Sequence, residues 1–249
     1  MYQNLNIMNY RVFIGELSKI KLSGQDKQVI NTLNPHSYVT ASKDEVFERA
    51  LKSSDILLPD GSGIVLAAKY INKQNIKKIA GADLHDYLLE ELHKSSGRCF
   101  YMGASKITLD KIHKKLAVNF PNIVVESFSP SFNPAFTDKE NQEIISKIND
   151  FKPDVLFIGM TAPKQEKWLY EFKDQLNFKL AASIGAVFDF YAGTAKRSSP
   201  FWVKLHLEWL PRLLKEPRRL WQRTLVSTPL FLWEMAKAKK SKGKRLNNA

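Results

Sequence analysis

Short apolar runs of three to five residues recur along the chain, each closed by a small or turn-forming residue and followed by apolar positions at helical spacing. Ile56-Leu57-Leu58, Cys99-Phe100-Tyr101-Met102, Ile123-Val124-Val125, Asp154-Val155-Leu156-Phe157-Ile158 and Leu180-Ala181-Ala182-Ser183-Ile184 read as strands buried on both faces of a parallel sheet. Gly103, Gly159 and Gly185 stand where three of these runs end. Between the runs the spacing predicts helices. One is capped at Ser42, with Glu45 as its capping-box partner, and extends to about Lys52; another covers Ile64 to Ile71. A third follows Ala80-Gly81-Ala82-Asp83 and carries Leu84, Leu88, Leu89 and Leu92 on one stripe. A fourth presents Ile107, Leu109, Ile112, Leu116 and Val118, and a fifth, capped by Thr137, presents Ile144, Ile145 and Ile148. Tyr10 to Leu17 and Ser37 to Thr40 read as further strands, and Ser127 to Thr137 as a loop. Strands alternating with helices in this way predict an α/β fold, a Rossmann-like, doubly wound, mostly parallel sheet.

The segment Pro153 to Trp168, PDVLFIGMTAPKQEKW, stands out within this pattern. A strand leaves through Met160-Thr161-Ala162-Pro163 into a helix whose first position suits Pro163. Open α/β sheets hold ligands at such strand-to-helix turns, where free N–H groups favour phosphate or carboxylate. An ordinary loop with a solvated Lys-Gln-Glu face fits the same residues equally well.

Beyond Gly193 the pattern changes. Trp202, Trp209, Trp221 and Trp233 lie among basic residues, and Leu205, Trp209, Leu210, Leu213 and Leu214 recur at helical spacing. Pro211 predicts a kink and Pro217 the start of a helix bearing Arg218, Arg219, Trp221 and Arg223. Charge sharpens the division: residues 196–249 hold 14 Lys and Arg against three Asp and Glu, a net of +11 out of the chain's +13. The expected organisation is a catalytic α/β body over 1–195, a basic amphipathic helical appendage over 196–240 and a disordered basic tail over 241–249. Aromatic residues beside arginines suit a helix lying on an anionic membrane surface. Packing of the same aromatics back onto the body is the competing reading.

Composition narrows the setting. A chain of 249 residues with 44% hydrophobic content supports one large α/β domain with an appendage. Its one cysteine, Cys99, lies in an apolar run, so no disulfide framework is expected. The N-terminus lacks a signal-peptide core and no apolar run approaches the roughly 20 residues of a membrane span; a cytoplasmic protein is expected. There is no phosphate-loop GxxxxGK[ST], no GxSxG and no HExxH, and the five histidines show no ligand spacing. The absence of a D-x-D pair removes the usual carboxylate clamp for a divalent ion, so neither metal nor cofactor is expected. Gly61-Ser62-Gly63 with Asp83 half matches a dinucleotide fingerprint, but Leu66 replaces the third glycine, leaving an NAD-type oxidoreductase as an alternative. A non-enzymatic nucleic-acid module is the other; no such motif appears, so nucleic acid is not an expected partner. Two carboxylates follow strand ends. Asp60 precedes a glycine-rich turn, and Asp189 lies between Phe188 and Phe190, where apolar rings would raise its pKa and suit it to act as a base. Each also fits a structural role as turn-former or buried hydrogen-bonded carboxylate.

Taken together, LLPDGSGIVLAAK (57–69), IAGADL (79–84), PDVLFIGMTAPKQEKW (153–168), SIGAVFDFYAGTAKRSSPFW (183–202) and LEWLPRLLKEPRRLWQR (207–223) resemble the WecG/TagA/CpsF family, glycosyltransferase family 26. The resemblance implies a bacterial, metal-independent, inverting transferase on the inner face of the cytoplasmic membrane. It would move a sugar, often of the N-acetylmannosamine type, from a UDP-sugar to an undecaprenyl-diphosphate-linked sugar. On this resemblance Asp60 matches the base that deprotonates the acceptor hydroxyl, with Asp189 as the other candidate. Gln165 matches a donor- or acceptor-contacting glutamine, and Thr40 a threonine lining the cleft. Gly61, Gly103, Gly159 and Gly185 would let the backbone approach the nucleotide. Arg212, Arg218, Arg219 and Arg223 match a basic appendage that closes over the site and meets the lipid diphosphate. Thr161 stands where the family commonly has glycine, Ser42 where it has asparagine, and Lys78 where it has arginine, offering phosphate a point charge rather than a fork.

Overall fold

The computed structural model describes residues 2–22, 26–195 and 221–247. Asn4–Ile7 (β1) and Tyr10–Phe13 (β2) form a separate antiparallel hairpin, turned at Met8 and Asn9, both with positive φ as a two-residue hairpin loop demands. The main sheet contains Gln28–Leu33 (β3), Ile56–Pro59 (β4), Arg98–Gly103 (β5), Val124–Phe128 (β6), Val155–Gly159 (β7) and Leu180–Ser183 (β8). All six run parallel, in the order β4-β3-β8-β7-β5-β6. The central strands are buried on both faces, which is why their sequences are continuous apolar runs rather than alternations. Edge strand β6 is half exposed and correspondingly mixed.

The helices are Pro35–Ala41 (α1), Glu45–Lys52 (α2), Ser62–Ala67 (α3), Gly81–Ser95 (α4), Lys106–Asn119 (α5), Asp138–Phe151 (α6), Lys164–Phe172 (α7), Val187–Ala192 (α8) and Thr228–Asn247 (α9). On one face Leu84, Leu88 and Leu92 of α4, Leu109, Ile112 and Leu116 of α5, and Phe188 of α8 cover Cys99, Tyr101, Val155 and Phe157. On the other, Ile144 and Ile148 of α6 with Trp168 and Leu169 of α7 cover Phe100, Met102, Leu156 and Ile158. A third cluster beside β3 and β4 joins Phe47, Leu51, Leu57 and Ile64 to Phe231 and Met235 of α9.

Most predicted elements stand, and the differences have local causes. Ser37 to Thr40 is helix, not strand: Asn34 accepts from the Ser37 N–H, Ser37 returns the bond, and Pro35 fixes the first turn, together outweighing the β-branched Val39 and Thr40. Strand β3, just before it, takes the place in the sheet expected of that segment. Ser42 closes α1, while α2 is capped by Asp44, whose carboxylate accepts from the Phe47 N–H. Strand β2 stops at Phe13, and Leu17 opens a 3-10 turn. Ile107 and Val118 do not join the buried face of α5; they are 67% and 79% exposed. Pro163 precedes α7 as its cap, after a cis peptide bond. Helix α9 continues to Asn247, past Ser241, where the charge run suggested disorder.

Helix α9 packs back on the body through Phe231, which is fully buried and meets the Tyr38 ring edge-on at 5.4 Å, and through Met235 one turn on. Trp221, Leu225, Leu232 and Trp233 face outward, with the Lys237 ammonium 3.3 Å above the Trp233 ring. For Phe231 the competing reading, packing back onto the body, thus holds. Residues 196–220, with Trp202, Trp209 and the Leu205–Leu214 pattern, lie outside the described residues.

Candidate active site

Because all six strands run parallel, their carboxyl ends share one rim. Strand β7 feeds α7 on one face and β5 feeds α5 on the other, so the connections diverge at the rim between these neighbours. A crevice of this kind is where doubly wound sheets bind ligands. Its floor is backbone. Gly103 and Gly159 are cross-strand partners, and a Cβ on Gly103, at φ +123°, would lie 2.5 Å from the Gly159 carbonyl oxygen. A Cβ on Gly159 would strike the Phe188 ring. Both glycines are therefore required by internal close approach, whatever the crevice receives.

Asp60 stands at this rim directly after β4, half-buried, its N–H donating to the Leu33 carbonyl at 2.9 Å. Gly61, at φ +101°, then turns the chain into α3, whose start presses against α1: a Cβ on Gly63 would strike Pro35 and lie 3.4 Å from Phe231. The Ile79 N–H donates to the Pro59 carbonyl, which brings Lys78 beside the end of β4. Asp60 and Lys78 are each engaged within the fold. The end of α9 nearest this turn is fixed by Phe231 and by a 2.8 Å hydrogen bond between Ser227 and His36.

Gln165 lies at the same rim, three strand positions from Asp60, or about 14 Å at normal strand spacing. It is buried in the first turn of α7. Its Oε1 accepts the Met160 N–H at 3.2 Å and the Gly185 N–H at 3.1 Å, joining the loops after β7 and β8. Its Nε2 donates to Glu166 Oε1 at 2.8 Å. Glu166 is 2% exposed and burial raises its pKa from 4.5 to about 7, although the Gln165 hydrogen bond works in the opposite direction. Gly185 is held at φ +53° by this arrangement. Beside it Lys164 donates to the Asn133 carbonyl at 2.6 Å and lies 3.4 Å from the centre of the Phe136 ring, anchoring the loop after β6; burial lowers its pKa. Lys167 pairs with Asp44 at 2.8 Å, tying α7 to α2.

Asp189 has a different environment. Its Oδ1 accepts from the hydroxyls of Thr108, 3.2 Å, and Thr194, 3.0 Å, and its carbonyl accepts the Thr194 and Ala195 N–H groups. These bonds join α8 to α5 and close the end of α8. Thr40 stands near the far end of α1, about 8 Å of helical rise from the rim; Thr32, the penultimate residue of β3, is the threonine the sheet itself carries to the rim. Arg212, Arg218 and Arg219 lie outside the described residues, while the backbone of Arg223 falls in the turn Gln222–Ser227 that precedes α9. Among the described residues no group of three His, Cys, Asp or Glu is placed to hold a metal ion, and no helix is long and apolar enough to cross a membrane. The sequence reading passed over Glu166, whose charge suggested a solvated face, and Asn34, whose pairing with Pro35 is a legible cap signal.

Comparison with known proteins bears on this rim. The model of the glycosyl transferase WecG/TagA/CpsF family matches residues 4–245. The chain is 31% identical over 93% of its length to an N-acetylglucosaminyldiphosphoundecaprenol N-acetyl-beta-D-mannosaminyltransferase of Bacillus spizizenii, covering 88% of that protein. Proteins of the same name from Bacillus subtilis, 30% identical over 97% of this chain and 90% of the relative, and Staphylococcus aureus, 28% over 85% and 80%, are also similar.

Proposed function

The chain belongs to the WecG/TagA/CpsF family of glycosyl transferases, and from that footing we propose that it transfers N-acetylmannosamine from a UDP-sugar to N-acetylglucosaminyl-diphospho-undecaprenol. The observation that carries this reading is the similarity to the mannosaminyltransferases over nearly the whole chain, rim segments included.

Chemistry at the rim follows from the residue types there. The acceptor hydroxyl must lose a proton as its oxygen attacks the anomeric carbon, and Asp60, half-buried at the carboxyl end of β4, is the base that takes it. The new C–O bond forms as the bond from the anomeric carbon to the diphosphate breaks, and the electron pair leaves with UDP. A single displacement on an α-linked donor gives the beta product named in the relatives. The growing charge on the diphosphate requires no metal if it is met by N–H groups at the rim, by Lys78, and by arginines 212, 218, 219 and 223. Asp189 is assigned to the fold, since its Oδ1 accepts from Thr108 and Thr194 and ties α8 to α5. Outward-facing Trp221, Leu225, Leu232 and Trp233, with the lysines of α9, suit the headgroup layer in which the lipid acceptor resides.

The test is direct. Radiolabelled UDP-N-acetylmannosamine and a short-chain lipid-diphosphate acceptor should yield disaccharide with the wild-type protein, and Asp60→Asn should lower turnover by about 10² to 10⁴. Undiminished turnover in Asp60→Asn removes Asp60 from the role of base; no product with any UDP-sugar removes the reaction.

A further inference from the structure

Three buried polar atoms on the face covered by α2 and α7 have no hydrogen-bond partner among the described residues: Asn31 Oδ1, Ser183 Oγ and Glu166 Oε2. They are not scattered. The β3–β8 register pairs Val29 with Ala181 and Ile30 with Ala182, so Asn31 and Ser183 are the next positions along neighbouring strands. Both point to the face on which Val29 and Ala181 pack against Trp168 and Leu169 of α7. Asn31 confirms its direction by donating from Nδ2 to Ser54 Oγ at 2.9 Å, beside the end of α2. Glu166 projects from the first turn of α7, which covers the same face. Buried polar atoms without partners are uncommon, and these three make one face between β3, β8 and α7 a polar patch closed to bulk solvent.

The other side of Glu166 faces the crevice through Gln165. The Gln165 amide has two possible orientations. In the one present, Oε1 meets two backbone N–H donors and Nε2 meets Glu166 Oε1. The reverse would set an NH₂ against two N–H groups, donor facing donor. The two N–H groups fix which way the amide faces, and the acceptor at position 166 satisfies the buried Nε2 that this orientation leaves, holding the side chain where it joins the loops after β7 and β8.

We propose that Glu166 is a positioning residue for the transfer reaction: buried on the same polar face as Asn31 and Ser183, it holds Gln165 in place through Nε2, and Gln165 in turn fixes Met160 and Gly185 at the crevice that receives the nucleotide end of the donor. This rests on the reaction proposed above. Glu166 touches no substrate itself, and its effect falls on binding of the donor.

The experiment compares full-length wild type, Glu166→Leu and Glu166→Gln. Hydrogen exchange without substrate comes first. Leucine removes the acceptor, so exchange at the Met160 and Gly185 amides should accelerate by about tenfold or more, with strand amides such as Phe157 unchanged. Glutamine retains an acceptor oxygen and should restore protection. With substrates, Glu166→Leu should raise the donor KM about tenfold and change kcat by less than roughly threefold, with Glu166→Gln again restoring the wild-type value. A merely structural role would reduce the folded fraction and leave KM alone. If Glu166→Leu does not fold, Glu166→Ser, whose hydroxyl is too short to reach Gln165, makes the same comparison. Unaltered amide exchange, an unaltered donor KM, or a glutamine variant that behaves like the leucine one overturns the role of Glu166. A wild type that transfers no sugar overturns the reaction instead, and leaves the exchange result to stand on its own.

Discussion

Replacing Glu166 by glutamine should change how stability depends on pH, in a direction fixed by its burial. The folded protein binds the Glu166 proton more tightly than the unfolded chain, with a pKa near 7 against 4.5. This contribution to stability is fully present below pH 4.5 and is lost as pH rises through 7. A gap of about two and a half pH units corresponds to about 3 kcal/mol, the cost at pH 8 of an ionised carboxylate buried beneath α7. Glutamine has no proton to lose, keeps the acceptor for Gln165, and directs an NH₂ into the space that Oε2 occupied. Urea unfolding of both proteins from pH 4.5 to 8 should show the difference in unfolding free energy moving in favour of Glu166→Gln by about 3 kcal/mol across that range. Other titrating groups are common to both proteins and cancel. A difference that stays flat would mean that Glu166 ionises as freely folded as unfolded, and its exclusion from solvent would have to be abandoned.

Further outcomes are expected elsewhere. His85, 1% exposed and bonded to the Tyr101 hydroxyl at 2.7 Å, has its pKa lowered by burial, with Asp86 opposing. Its contribution is present above the unfolded value of 6.5 and is lost as pH falls below it toward the folded value, so His85→Phe should flatten the acid side of the stability profile. Phe231→Ala should cost about 3–5 kcal/mol in the packing of α9 and open residues 228–247 to limited proteolysis while the body resists; a helix as resistant as wild type would refute its anchoring by Phe231. Gly103→Ala combines a left-handed backbone angle with a contact against the Gly159 carbonyl and should lower the urea midpoint by the equivalent of about 2 kcal/mol or more. Asp189→Asn retains an oxygen for Thr108 and Thr194, so turnover should remain within about tenfold of wild type; a loss as large as that of Asp60→Asn would make Asp189 the base instead.

The parallel sheet was legible because strands covered on both faces must be apolar at every position, and such runs cannot be mistaken for surface. Helices α4 and α6 were equally plain, since their buried leucines and isoleucines follow one stripe. Residues 28–41 were misread because Val39 and Thr40 favour strands while the deciding information lay in the Asn34–Pro35 cap. At the rim, Asp60 was legible from its place between a strand and glycines. Glu166 was not: nothing in KQEKW distinguishes a solvated glutamate from a buried one, because that depends on where α7 crosses β8. Gln165 was picked out as a ligand contact, but its hydrogen bonds are all directed inward, to pairings only the folded chain creates.

The pairing of Gly103 with Gly159 has a consequence for anyone who would redesign this protein. The Gly159 main chain against Gly103 and the Phe188 ring against Gly159 leave no room for a side chain at either position, so on the proposed reaction altered sugar preference cannot be written into these two residues. Variation has to enter through the exposed residues just beyond, such as Lys106, Thr161, Ala162 and Ala186. A mutagenesis library confined to those positions would sample new preferences above an unaltered base, whereas one that randomised the two glycines would yield mostly misfolded protein.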